Sequence, residues 1–81
     1  LWHTQQALNE AAVRFDTLTP RERDVMELIA VGCHTKKIAA QLEIHDRTVD
    51  VHRFNIMRKV GVRTLAELLR LWSIAHQTAQ P

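Results

Sequence analysis

The sequence predicts an all-α chain in which four helices, two of them joined as a helix-turn-helix, follow a linker helix. Three observations carry this. Apolar residues recur at helical spacing on both sides of a tight break in the stretch from Thr35 to Val60, TKKIAAQLEIHDRTVDVHRFNIMRKV. The run Leu18-Thr19-Pro20-Arg21-Glu22 is a helix start signal, and no strand alternation, internal repeat or low-complexity segment is visible.

Residues 1–16 place Leu8, Ala11, Ala12 and Phe15 at near-helical spacing, although Thr4 and Asn9 weaken the pattern, and read as a linker helix. A helix-turn-helix domain is expected over 17–76. Thr19 is the N-cap of its first helix, with Pro20 at the first helical position and Glu22 completing a capping box. That helix runs to about Val31 on a core stripe of Val25, Leu28 and Ile29, and Gly32 supplies a left-handed stop. The second helix spans roughly 35–42, with Ile38, Ala39 and Leu42 inward, and Ile44 fills the break. The third spans roughly 46–60 on Val49, Ile56 and Val60 and ends at Gly61; at 1.5 Å per residue it is about 20 Å long. The fourth starts at Thr64 with Leu65, Leu68, Leu69 and Trp72 as its inner stripe, and residues 77–81 read as a frayed tail.

At 81 residues there is room for one small domain with a modest core. The chain starts at Leu1 and has neither a leader pattern nor an apolar run of about 18 residues, so it reads as a fragment of a longer cytoplasmic protein with no membrane partner. Cys33 is the only cysteine, which excludes an internal disulfide and a CxxC metal site. His34 and His45 flank the second helix at opposite ends, and no Gly-rich phosphate loop exists. These absences predict no enzyme activity and no cofactor.

Charge is uneven along the chain. From Cys33 to Arg63 the basic residues Lys36, Lys37, Arg47, Arg53, Arg58, Lys59 and Arg63 face Glu43, Asp46 and Asp50, a net +4, and the remainder carries −2 of the overall +2. On a helical wheel of the third helix, Arg47, Val51, Phe54 and Arg58 point away from Val49, with Asp50 and Asn55 beside them. A face mixing long cations, an amide and apolar groups suits a DNA groove.

Read together, LTPRERDVMELIAVG, KKIAAQL, RTVDVHRFNIMRKVGV and the leucine-rich helix after them resemble the LuxR/FixJ-type DNA-binding domain over about residues 18–74. The resemblance implies a four-helix tetrahelical bundle at the C-terminus of a bacterial transcription regulator, whose third helix enters the major groove and whose fourth often dimerises. The linker ending in ALNEAAVRFDTLTPRE resembles the FixJ-like response regulators, in which a phosphorylated receiver domain comes first. Three departures from the family pattern involve four positions. Glu43 stands where the turn usually has glycine, at a cost of about 1 kcal/mol or somewhat more. His34 and His45 replace the usual Ser or Thr caps, which moves the expected caps to Thr35 and Asp46. Asp50 stands where several relatives carry a base.

Arg47 and Arg58 are expected to reach guanine edges or phosphates, and Val51 and Phe54 to meet thymine methyls unless an upstream domain packs on them. Asp50 accepts from cytosine N4, or repels phosphate and so rejects non-cognate sites, or is a first-turn acid stabilised by the helix dipole; Asn55 either contacts DNA or is plain surface. Thr35, Lys36 and Lys37 at one helix start, and Thr48 at the next, are candidate phosphate contacts. Arg53 either pairs with Glu22 or Glu27 or contacts DNA, His52 is a hydrogen-bonded structural group, and Cys33 a buried small hydrophobe. On the fourth helix Leu71 and Ile74, beside Thr64 and Glu67, make a second apolar strip. Its partner is either the linker helix, through Leu8 and Phe15, or a second subunit.

The expected function is therefore sequence-specific binding of double-stranded DNA by a homodimer, as the output domain of a two-component response regulator with an upstream regulatory domain; RNA polymerase is a further candidate partner. Rival readings are a LuxR-type regulator with a ligand-binding upstream domain, a sigma-factor promoter-recognition domain, and a helical protein-interaction module without DNA binding.

Overall fold

The computed structural model describes the backbone of residues 2–76 and the side chains of 9–76. The expected frayed tail, 77–81, and the Leu8 side chain lie outside the described residues. Among the described residues five helices follow one another: α1 (Trp2–Asp16), α2 (Pro20–Ala30), α3 (Thr35–Leu42), α4 (Asp46–Val60) and α5 (Leu65–Ala75). The expected linker helix is α1 and the helix-turn-helix is α3–α4, so the all-α class and the order of elements are as predicted.

Helix α4 is the central post: α2 and α3 pack against it, and α1 crosses from it to α5. The core is one cluster in which Val25, Met26 and Ile29 of α2 meet Ile38 and Ala39 of α3, Val49, Ile56 and Val60 of α4, Leu68 of α5, and Phe15 and Leu18 from the linker side. Two expected stripes need correction. Met26 is fully buried in α2, whereas Leu28 is half-buried at the edge of the core; and Leu65 is 42% exposed, because the inward face of α5 begins a turn later at Leu68.

Three helices end on a left-handed residue with the following N–H bonding back across the last turn. Gly32 (φ 92°), Glu43 (φ 57°) and Gly61 (φ 83°) make the reversals, and Cys33, Ile44 and Val62 donate to the carbonyls of Leu28, Ala39 and Met57 at 3.0 Å each. Glu43 thus holds the left-handed conformation that the turn demands even with a β-carbon.

The starts differ in kind. Thr19 and Thr64 build full capping boxes with Glu22 and Glu67 at the heads of α2 and α5. At α3 and α4 the N-cap residues are His34 and His45, in extended conformation, and neither side chain caps its helix. This corrects the expected caps: Thr35 and Asp46 are already helical, since the chain keeps the cap register and not the preferred cap residue.

The linker helix is tied to the bundle. The Phe15 and Trp72 rings meet edge to face with centroids 5.1 Å apart, Arg14 Nη1 donates to the Val60 carbonyl (3.2 Å), and Arg23 Nη2 donates to that of Phe15 (2.9 Å).

Candidate nucleic-acid interface

The register of α4 is fixed by Val49, Ile56 and Val60, which are buried, so the residues half a turn away must face outward. Arg47, Asp50, Val51, Phe54 and Arg58 are all exposed, Val51 at 53% and Phe54 at 67%. Arg47, Val51, Phe54 and Arg58 fall at spacings of four, three and four, a continuous stripe along the helix. Large apolar groups left in water between two arginines are unusual on a plain surface and suit a partner that offers both phosphate and methyl groups.

Thr48 and Asn55 flank the stripe half-buried, and Arg58 Nη2 donates to Asn55 Oδ1 at 3.5 Å, a weak bond that leaves both free to re-pair. At the head of α4 an open groove of about 870 Å³ is lined by Ile44, His45, Asp46, Arg47, Thr48 and Val51. Sequence reasoning placed Arg47, Thr48 and Val51 there but not His45, which is exposed and makes no side-chain cap bond.

Lys36 and Lys37 are exposed in the first turn of α3, which has no acidic residue, and Thr35 is half-buried. Cations at a helix N-terminus oppose the helix dipole unless an anion sits between them. Arg53 Nη1 donates to Thr35 Oγ1 at 3.5 Å, joining α4 to the start of α3. Arg53 therefore makes neither expected ion pair: Glu22 is held by Lys59 instead, at 2.7 Å, and Glu27 forms no ion pair among the described residues.

The Glu22–Lys59 pair is invisible to a linear reading, because it joins residues 37 apart and no local periodicity links them. Glu22 is 4% exposed and its Oε1 accepts from both Lys59 Nζ and the Thr19 N–H. Burial pushes this carboxyl up, but hydrogen bonds from Lys59 and Thr19 and the Lys59 charge together outweigh it and hold it below 4.5. One carboxylate thus caps α2 and clamps the last turn of α4. Glu67 is held low chiefly by the Arg63 N–H, with Thr64 assisting.

Other expectations change. His52 is half-buried, but its Nδ1 is enclosed without a hydrogen-bond partner among the described residues; it shares its side of α4 with Val49 and Ile56, which offer no acceptor. Cys33 is half-buried, with Sγ 3.9 Å from Gln41 Oε1. Thr64 and Glu67 are engaged in the α5 capping box, while Leu71 and Ile74 are half-buried and share a groove with Arg14 of the linker helix. The linker helix therefore occupies one flank of the strip.

The model of the luxR family of bacterial regulatory proteins matches residues 16–72, which takes in α2, α3, α4 and most of α5. The chain belongs to this family. Its relatives include Nodulation protein W of Bradyrhizobium diazoefficiens, 44% identical over 57 residues, covering 70% of this chain and 25% of that protein. Transcriptional regulatory protein UhpA of Escherichia coli is 48% identical over 64 residues, covering 79% of this chain and 33% of that protein. The crystal structure of full-length FixJ from B. japonicum superposes with a TM-score of 0.83 at 38% identity, covering 90% of this chain and 36% of FixJ. The chain thus spans a quarter to about a third of these relatives. The LuxR/FixJ resemblance read from the sequence is confirmed, and the family is one of transcription regulators, not an enzyme class. Among the described residues no helix is long and apolar enough to cross a membrane, and no cluster of three or more His, Cys, Asp or Glu could hold a metal ion.

Proposed function

We propose that this LuxR-family domain binds double-stranded DNA sequence-specifically, laying α4 in the major groove, as the output domain of a cytoplasmic two-component response regulator. The observation that carries the reading is the exposed stripe of Arg47, Val51, Phe54 and Arg58 on a helix whose opposite face is locked into the core. Arg47 and Arg58 reach guanine edges or phosphates, Val51 and Phe54 meet thymine methyls, and Asp50 and Asn55 refine the choice of base. Lys36 and Lys37, with Thr35 and Thr48, hold the flanking phosphates at the uncapped starts of α3 and α4. The similarity to FixJ and UhpA supports an upstream receiver domain in place of a ligand-binding one. A homodimer through Thr64, Glu67, Leu71 and Ile74 presents two copies of α4 to adjacent half-sites, and RNA polymerase is the partner through which bound regulator alters transcription.

The test is titration of duplexes across several salt concentrations. Each alanine replacement of Lys36, Lys37 or Arg58 that frees one phosphate is expected to lower the magnitude of the log-affinity against log-salt slope by about 0.9, with site preference unchanged. Salt-independent binding, or none to a selected operator at low salt, refutes the reading and leaves a protein-interaction module.

A further inference from the structure

A second surface lies outside the proposed DNA interface, between the C-terminal halves of α2 and α3. Asp24, Glu27, Leu28, Val31, Gln41 and Leu42 line a groove of about 410 Å³ there, with no residue from α4. Its floor is aliphatic: Leu28 and Leu42 are half-buried at the edge of the core, and Val31 is 75% exposed, more than any other large exposed hydrophobic among the described residues. Its rim is acidic. Asp24 and Glu27 stand one turn apart on α2; Glu27 has no ion pair among the described residues, and Asp24 has only the solvent-exposed Arg21 at 3.5 Å, a pair of little energetic weight. No basic side chain lines the groove.

A net acidic, apolar trough on a chain of charge +2 cannot serve phosphate, which its carboxylates repel. It is complementary to the opposite pattern, an apolar stripe flanked by ammonium or guanidinium groups. We propose that this groove docks a cationic amphipathic helix of a protein partner, whose apolar side chains settle on Leu28, Val31 and Leu42 while its lysines or arginines meet Asp24 and Glu27. The groove admits few anchor residues, so the complex is transient, and it leaves α4 free to bind DNA at the same time.

The experiment is an NMR titration of the isotope-labelled 81-residue chain with a synthetic leucine–lysine helical peptide carrying its leucines on one face. The amides of Asp24, Glu27, Leu28, Val31, Gln41 and Leu42 are expected to shift together, and a leucine–glutamate peptide of the same pattern to leave them in place. Combining Glu27→Gln with Val31→Ser weakens peptide binding by roughly tenfold or more, because one charge pair and one aliphatic anchor are removed. Both positions are exposed, so the fold persists, and an unchanged helical circular dichroism spectrum verifies it. Shifts clustered elsewhere, equal binding of the leucine–glutamate peptide, or unchanged affinity of the double variant overturns the proposal. So do groove shifts that grow with protein concentration in the absence of peptide, which make the occupant a second copy of this chain.

Discussion

Glu22→Gln removes a charge and little else. The amide oxygen of glutamine still accepts from the Thr19 N–H at the N-cap, so the α2 capping box survives, while the bond to Lys59 Nζ at 2.7 Å loses its ionic character. The Glu22 side chain is 5% exposed and that of Lys59 27%, so the ammonium left behind is partly hydrated and the penalty falls short of that for a fully buried pair. A charge-assisted hydrogen bond of this kind contributes about 2 kcal/mol. In a domain of this size that lowers the thermal midpoint by roughly 8–16 °C, at about 4–8 °C per kcal/mol. Glu22→Ala also removes the cap and costs about 1 kcal/mol more. The pH dependence identifies the cause. Because the native carboxyl sits below its ordinary value of 4.5, the unfolded chain binds the extra proton, and the stabilisation is present above pH 4.5 and lost as pH falls through the lowered native value. Wild type should therefore lose stability more steeply than Glu22→Gln on acidification, and the two curves should converge. Calorimetry across this pH range is the assay. A variant that melts with wild type at neutral pH, or a gap that persists unchanged in strong acid, refutes the clamp.

Three further outcomes are expected. Glu43→Gly relieves the β-carbon at φ 57° and stabilises the fold by about 0.5–1 kcal/mol after the greater chain entropy of glycine is subtracted, whereas Glu43→Ala leaves stability nearly unchanged; chemical denaturation distinguishes backbone strain from a charge effect. His45→Ser supplies the side-chain cap that α4 lacks and raises stability by about 0.5–1 kcal/mol; an unchanged denaturation midpoint means the serine hydroxyl does not bond the first-turn N–H groups. Leu71→Asp keeps the helical circular dichroism signal but abolishes cooperative binding to a two-half-site operator; if it unfolds the chain, or cooperativity survives, Leu71 packs on the linker helix and not at a subunit interface.

Local chemistry alone determined which residues form helices here and which face of α4 turns outward. Pro20 after Thr19, the left-handed stops at Gly32 and Gly61, and the seven-and-four spacing of Val49, Ile56 and Val60 act within one or two turns, so a linear reading captures them and places Arg47, Val51, Phe54 and Arg58 on the open side. Contacts between helices distant in sequence were decided only by tertiary packing. Glu22 could be read as half of a capping box, but its second partner, Lys59, arrives because α4 lies against α2; Arg53 meets Thr35 because the start of α3 comes to rest beside it. Packing also exposed Leu65, buried Met26 and laid the linker helix beside Leu71 and Ile74, since which flank of an amphipathic helix is covered depends on where its neighbours come to rest.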